Sequence, residues 1–165
     1  MAILYKNFRR NVINAGPLIL LYYISISEID TQFSNLFEIL SFNLQIIIIY
    51  YWTLKSSSVL GNGHIFLAGL INDVVMGFPL GISSLSYLVV CFVGNYVRNK
   101  SVNTTIASDW FTFLIALLFA NLLFFSLLNN FSDVAISYEK IGYNTFFTLF
   151  LFPVFWFLFN LYQMS

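Results

Sequence analysis

Residues 64–97 read HIFLAGLINDVVMGFPLGISSLSYLVVCFVGNYV, an apolar run of 34 residues interrupted by a few small or polar side chains. The fold depends on whether this run is one helix or two. A single helix would be about 50 Å long at 1.5 Å per residue. A bilayer's hydrocarbon core is about 30 Å thick. In the middle stands Gly77-Phe78-Pro79-Leu80-Gly81. Pro79 lacks a backbone N–H and disfavours helix at the residue before it. Gly77 and Gly81 permit a tight turn. The run therefore reads as two passes, over 61–78 and 80–97, joined by a sharp hairpin with its tip at the membrane surface.

The rest of the chain has the same character. Of its 165 residues, 59% are hydrophobic and 8% charged, and the mean hydropathy is +0.84. A water-soluble surface needs roughly a quarter of its residues charged, so lipid is the expected solvent for most of this chain. That excludes a soluble enzyme and a disordered tail. Seven basic and seven acidic residues balance to zero, leaving no strongly basic face for nucleic acid. A lone cysteine, Cys91, excludes an internal disulfide. The single His64 does not make a zinc site.

Four further apolar stretches bring the expected passes to six, over 12–27, 38–54, 61–78, 80–97, 110–128 and 142–162. The second is short if it starts at Ser41 rather than upstream. The expected fold is an all-α integral membrane protein, six helices in one compact bundle forming a single domain over 1–165. Basic residues set its orientation. With the N-terminus inside, Lys6, Arg9, Arg10, Lys55, Arg98 and Lys100 are cytoplasmic and Lys140 alone is outside. Treating 64–97 as one pass would give five against two instead of six against one. Both termini are thus expected in the cytoplasm. The expected first outer loop carries Glu28, Asp30 and Glu38 and no basic residue.

Tyr50, Tyr51, Trp52, Tyr96 and Trp110 stand near expected pass ends, where amphipathic rings favour the headgroup level; ordinary packing explains any one of them equally well. The first pass could mimic a signal peptide, but it runs into Ile26-Ser27-Glu28 with no small-x-small cleavage site. It reads as an uncleaved helix. Thirteen of the 20 phenylalanines lie between Phe111 and Phe159, and bulk against lipid and neighbouring helices is the reading for them.

Asp73 is the most informative residue. A carboxylate at the centre of a spanning helix costs roughly 2.5–3.5 kcal/mol on insertion scales, less towards the outer end, where the expected boundaries put Asp73. Gly69, Asp73 and Gly77 are spaced by four and share one helical face. Glycines above and below the acid let another backbone come close. Three roles are open: a buried polar contact fixing helix packing, a proton or ligand site, or a partly hydrated interfacial side chain. On the next pass Ser86, Val90 and Gly94 repeat by four, a spacing that suits close helix contact. Ser83 and Ser84 suit a helix start. His64 reads as a wetted interfacial residue, Pro153 as a kink in the sixth pass, and Asn121 and Asn160 as possible cross-helix donors. The sequence contains no phosphate-binding glycine loop, nucleophile elbow or metal-ligand cluster. No catalytic, cofactor-binding or metal residue is assigned.

The stretch Phe66-Leu67-Ala68-Gly69-Leu70-Ile71-Asn72-Asp73, followed by Gly77-Phe78-Pro79-Leu80-Gly81-Ile82-Ser83-Ser84-Leu85-Ser86-Tyr87, resembles the signature of the bacterial rod shape-determining protein MreD family. That family shows a Gly-Leu-x-x-Asp run, then a Pro-Leu-Gly turn and a second apolar helix. Tyr51-Trp52-Thr53-Leu54 resembles the aromatic end of its second helix. The proline that often opens that helix has no counterpart here. The resemblance implies a non-enzymatic inner-membrane protein of the cell-elongation machinery, similar in fold to the substrate-binding membrane subunits of vitamin importers. It implies as partners the membrane lipid, MreC, the polymerase RodA, a class-B transpeptidase and, directly or indirectly, the MreB filament. Gly69, Asp73, Gly77, Pro79, Gly81, Ser86 and Gly94 are the candidate helix-packing or partner-contact residues. A second reading, from a different class, is a small-solute binding or transport subunit built on the same bundle.

Overall fold

The computed structural model describes residues 15–27, 43–55, 60–100, 105–131 and 138–164. The expected starts of the first two passes (12–14 and 38–42), the basic residues Lys6, Arg9 and Arg10, and the acids Glu28, Asp30 and Glu38 lie outside them. Among the described residues the fold is all-helical. The helices are α1 (Ala15–Ile26), α2 (Leu44–Lys55), α3 (Asn62–Met76), α4 (Ile82–Lys100), α5 (Ile106–Phe131) and α6 (Tyr138–Met164). Two of them, α5 and the Ile141–Gln163 part of α6, are by themselves long and apolar enough to cross a membrane.

The break between α3 and α4 falls at Gly77–Gly81, where the proline and glycines put it. α5 begins at Ile106, four residues before the expected start at Trp110, because Thr105 caps it: its Oγ1 accepts the Ser108 N–H at 3.3 Å. Asn43 caps α2 the same way, accepting the Ile46 N–H at 3.1 Å. The Asn43 N–H donates in turn to Thr148 Oγ1 of α6 at 2.9 Å, so the start of α2 is tied to a neighbouring helix.

α2 is the axis of the bundle. It is 12 residues long, about 18 Å, and apolar on every side, the pattern of a fully buried helix. Residues 46–52 are 5% exposed or less. Four consecutive isoleucines are poor helix formers, so packing rather than propensity holds this segment. Tyr50, Tyr51 and Trp52, candidates for the interface, lie in this core. Tyr50 meets Phe113 of α5 and Phe152 of α6 edge-on, and those two rings stack with centroids 4.2 Å apart. Tyr51 and Trp52 both pack on Phe159. α4 lies against α2, α3 and α5.

The bundle's outer surface is apolar. Phe92 on α4, Phe111, Phe119 and Leu122 on α5, and Phe146 and Phe150 on α6 are each exposed by 59% or more. Meanwhile Gln45, Asn72, Asp73, Ser83, Ser84 and Asp109 are buried. The two carboxylates among them, Asp73 and Asp109, are buried with partners, as buried charges are.

Candidate functional site

The α3–α4 hairpin is closed at both ends by Asp73. Its backbone carbonyl accepts the Phe78 N–H at 2.9 Å, while Gly77, left-handed at φ +69°, donates to Val74 O at 3.4 Å. These two bonds form a Schellman C-cap on α3. The side chain does the opposite task for α4. Oδ2 accepts the Gly81 N–H at 2.8 Å and Oδ1 the Ser83 N–H at 2.9 Å. Both are donors at the start of a helix, which no intrahelical carbonyl satisfies, and the negative charge sits at the positive end of the α4 dipole. Asp73 is fully buried, so the hydrated interfacial reading does not describe it.

A chain of buried side chains extends from this cap across three helices. Tyr87 of α4 donates to Gln45 Oε1 at 2.7 Å, Gln45 Nε2 donates to Asn72 Oδ1 at 3.0 Å, and Asn72 Nδ2 donates to Ser83 Oγ at 3.1 Å. Each group thus finds a partner inside the bundle, as burial requires. Gln45 was not among the candidates. Its signal in the sequence is a polar residue inside an otherwise apolar segment.

The small residues divide by role. A Cβ added at Gly69 would stand 2.6 Å from the backbone nitrogen of Ser84, so α3 and α4 touch there backbone to backbone. The Ser84 hydroxyl donates to Phe66 O at 3.0 Å across the same contact. Gly94 faces Thr53 of α2, with only 3.1 Å available to a Cβ. Ser86 is buried and donates back to Ile82 O within α4. Gly77 differs from the expectation of a close approach. Nothing lies within 4 Å of a Cβ there, and its requirement is the left-handed backbone. Gly81, at φ +102° with the same open surroundings, is also a conformational glycine, and Pro79 lies between the two in the turn. Gly69→Ala is therefore expected to lose about 1–3 kcal/mol through overpacking. Gly77→Ala should lose about 1–2 kcal/mol through strain alone. Thermal unfolding in mild detergent compares them, and enlarging each alanine to valine should worsen the first far more than the second.

A second polar centre involves Asp109, which the expected boundary at Trp110 left in a loop. In the structure it is fully buried in the first turn of α5. Its Oδ2 lies 3.7 Å from Lys55 Nζ at the end of α2 and accepts the Trp156 indole N–H of α6 at 3.1 Å. The Lys55 ammonium also stands 5.3 Å from the Trp156 ring centroid. Three helices meet at this one carboxylate. Nearby, Pro153 of α6 supplies no N–H to the Leu149 carbonyl one turn earlier. Trp110 Nε1 donates to that carbonyl at 3.0 Å, so an aromatic at the start of α5 repairs the gap that proline opens.

Among the remaining candidates, Asn121 donates to Thr145 Oγ1 of α6 at 2.8 Å, and exposed His64 pairs through Nδ1 with the Tyr22 hydroxyl of α1 at 3.1 Å. Cys91 is a buried free thiol. No group of three or more His, Cys, Asp or Glu suited to a metal occurs among the described residues. Comparison with family models, with curated proteins and with solved structures finds no match to the chain.

Proposed function

We propose that this chain is a six-pass protein of the bacterial cytoplasmic membrane, both termini inside, and a non-enzymatic scaffold of the cell-elongation complex that supports rod shape and peptidoglycan synthesis. The observation that carries the reading is the Gly69-to-Tyr87 signature, whose residues converge on one hairpin. Gly69 admits the second helix, Asp73 caps it, and Gly77 and Gly81 make the turn. A motif spent entirely on shaping two adjacent helices suits a protein that works by presenting helix faces and short loops to partners.

The membrane reading is supported by the apolar outer surface and by the two long apolar helices. α1 to α4 complete the bundle: α2 is short but needs no lipid contact because its neighbours enclose it. The orientation rests on the segregation of basic residues along the chain. Lys55, Asp109 and Trp156 come together at the end assigned to the cytoplasm, and Asp73 with the α3–α4 turn stands at the other.

The transport reading needs polar groups facing a solute. The two oxygens of Asp73 are instead held by backbone N–H groups, and Gln45, Asn72, Ser83 and Tyr87 hold one another. Depletion of the chain from a rod-shaped host is expected to round the cells and to release MreC- and RodA-type partners from a shared complex, read by microscopy and co-purification. Unchanged shape and wall insertion, together with tight binding of a vitamin-like solute by the purified chain, would replace the scaffold with the transport subunit.

A further inference from the structure

One face of α4 carries Leu85, Phe92, Tyr96, Asn99 and Lys100. These positions fall within about 100° of arc at 3.6 residues per turn. All five are exposed, Phe92 by 73% and Tyr96 by 53%. The chemistry along the face is ordered: apolar, then an aromatic hydroxyl, then an amide and an ammonium. From Leu85 to Lys100 the rise is about 22 Å. Leu85 lies in the first turn of α4, at its outer end, and Phe92 near its middle, so the part of the stripe in the cytoplasmic half runs from Phe92 to Lys100, about 12 Å. The Lys100 ammonium lies 5.0 Å from the Tyr96 ring centroid, a cation–π contact. A hydrogen bond to Tyr96 moves the Lys100 pKa upward.

From this order we infer that the cytoplasmic half of α4 is a docking face for an anionic phospholipid, its acyl chain along Phe92 and its phosphate at Tyr96, Asn99 and Lys100. The inference rests on the membrane reading proposed above. Charge complementarity selects the occupant: a second apolar helix would cover Leu85 and Phe92 but would meet an ammonium at its end, whereas an anionic lipid carries its phosphate at that height. Arg98 lies on the opposite side of the helix, which separates this face from the general excess of positive charge at the cytoplasmic side.

The test reconstitutes the full chain in bilayers of phosphatidylcholine mixed with phosphatidylglycerol and measures the lipid retained after detergent extraction. Wild type is expected to retain phosphatidylglycerol in preference. Lys100→Gln should reduce that preference about fivefold, Lys100→Arg should keep it, and Arg98→Gln should leave it unchanged. Equal losses in Lys100→Gln and Arg98→Gln would overturn the proposal in favour of bulk charge. So would retention of neither lipid over the other, the result expected if protein covers the face. Displacement of the lipid by inorganic phosphate alone would make the site a free-anion site and overturn it as well. In each of these results the chain still resides in the bilayer and the membrane reading stands. A chain that enters bilayers of neither composition overturns that reading itself.

Discussion

Replacing Asp73 by leucine is expected to be the most damaging single change in this protein. Two backbone N–H groups, of Gly81 and Ser83, lose their acceptor at once. Leaving a buried donor unsatisfied costs about 1–3 kcal/mol, so Asp73→Leu should cost about 2–6 kcal/mol. The sequence alone suggests that asparagine would be tolerated better than leucine, because it keeps a donor and an acceptor at similar size. The geometry keeps that order and adds a cost for asparagine. Both carboxylate oxygens accept from backbone, and an asparagine turns an N–H₂ towards one of those donors. Asp73→Asn should lie between wild type and leucine, at about 1–3 kcal/mol. Glutamate, one methylene longer, should not restore the pair. Unfolding of the three variants in mild detergent, scored beside rescue of cell shape, checks the order. If leucine unfolds like wild type, the cap contributes nothing and the hairpin is held by Gly69 and the apolar packing.

The second large effect is expected at Lys55. Removing one partner of a buried ion pair costs several kcal/mol because the other charge stays behind. Lys55 is a quarter exposed, and that screening lowers the expectation for Lys55→Met to about 1–3 kcal/mol. The informative comparison is the double variant. Lys55→Met with Asp109→Asn removes both charges and keeps an acceptor for the Trp156 indole. It should be closer to wild type than Lys55→Met alone, with a coupling energy of at least about 1 kcal/mol in a double-mutant cycle. Strict additivity would mean that the two groups do not sense each other's charge.

The hairpin was the most legible part of the sequence, because helix length, proline and glycine chemistry all break the run at one place. Asp73 was legible as an anomaly: a lone acid within an apolar segment must have a reason to be there. Its partners were only half legible. A shared face with Gly69 pointed towards a neighbouring helix, but the bonded donors are backbone groups at the start of α4, which no side-chain pattern reveals. Asp109 was missed for a simple reason. Hydropathy placed the start of the fifth helix at Trp110, while the Thr105 cap starts it earlier and carries the acid into the bundle. Its partners, Lys55 and Trp156, are 54 and 47 residues away in the chain, and such pairing has no local signature. The burial of α2 was hidden too. A helix apolar on all sides looks the same whether lipid or protein surrounds it, so Tyr50, Tyr51 and Trp52 read equally well as interfacial rings and as core.

The α3–α4 hairpin is proposed to cross and recross a bilayer, with Asp73 at its outer end. Reporter fusions along the chain test this most directly. Placed after Glu38, Lys55, Arg98 and Asn130, they should read outside, inside, inside and outside, as the six-to-one segregation of basic residues requires. An outside reading after Arg98, with Lys55 inside, would make 64–97 a single crossing and contradict the account.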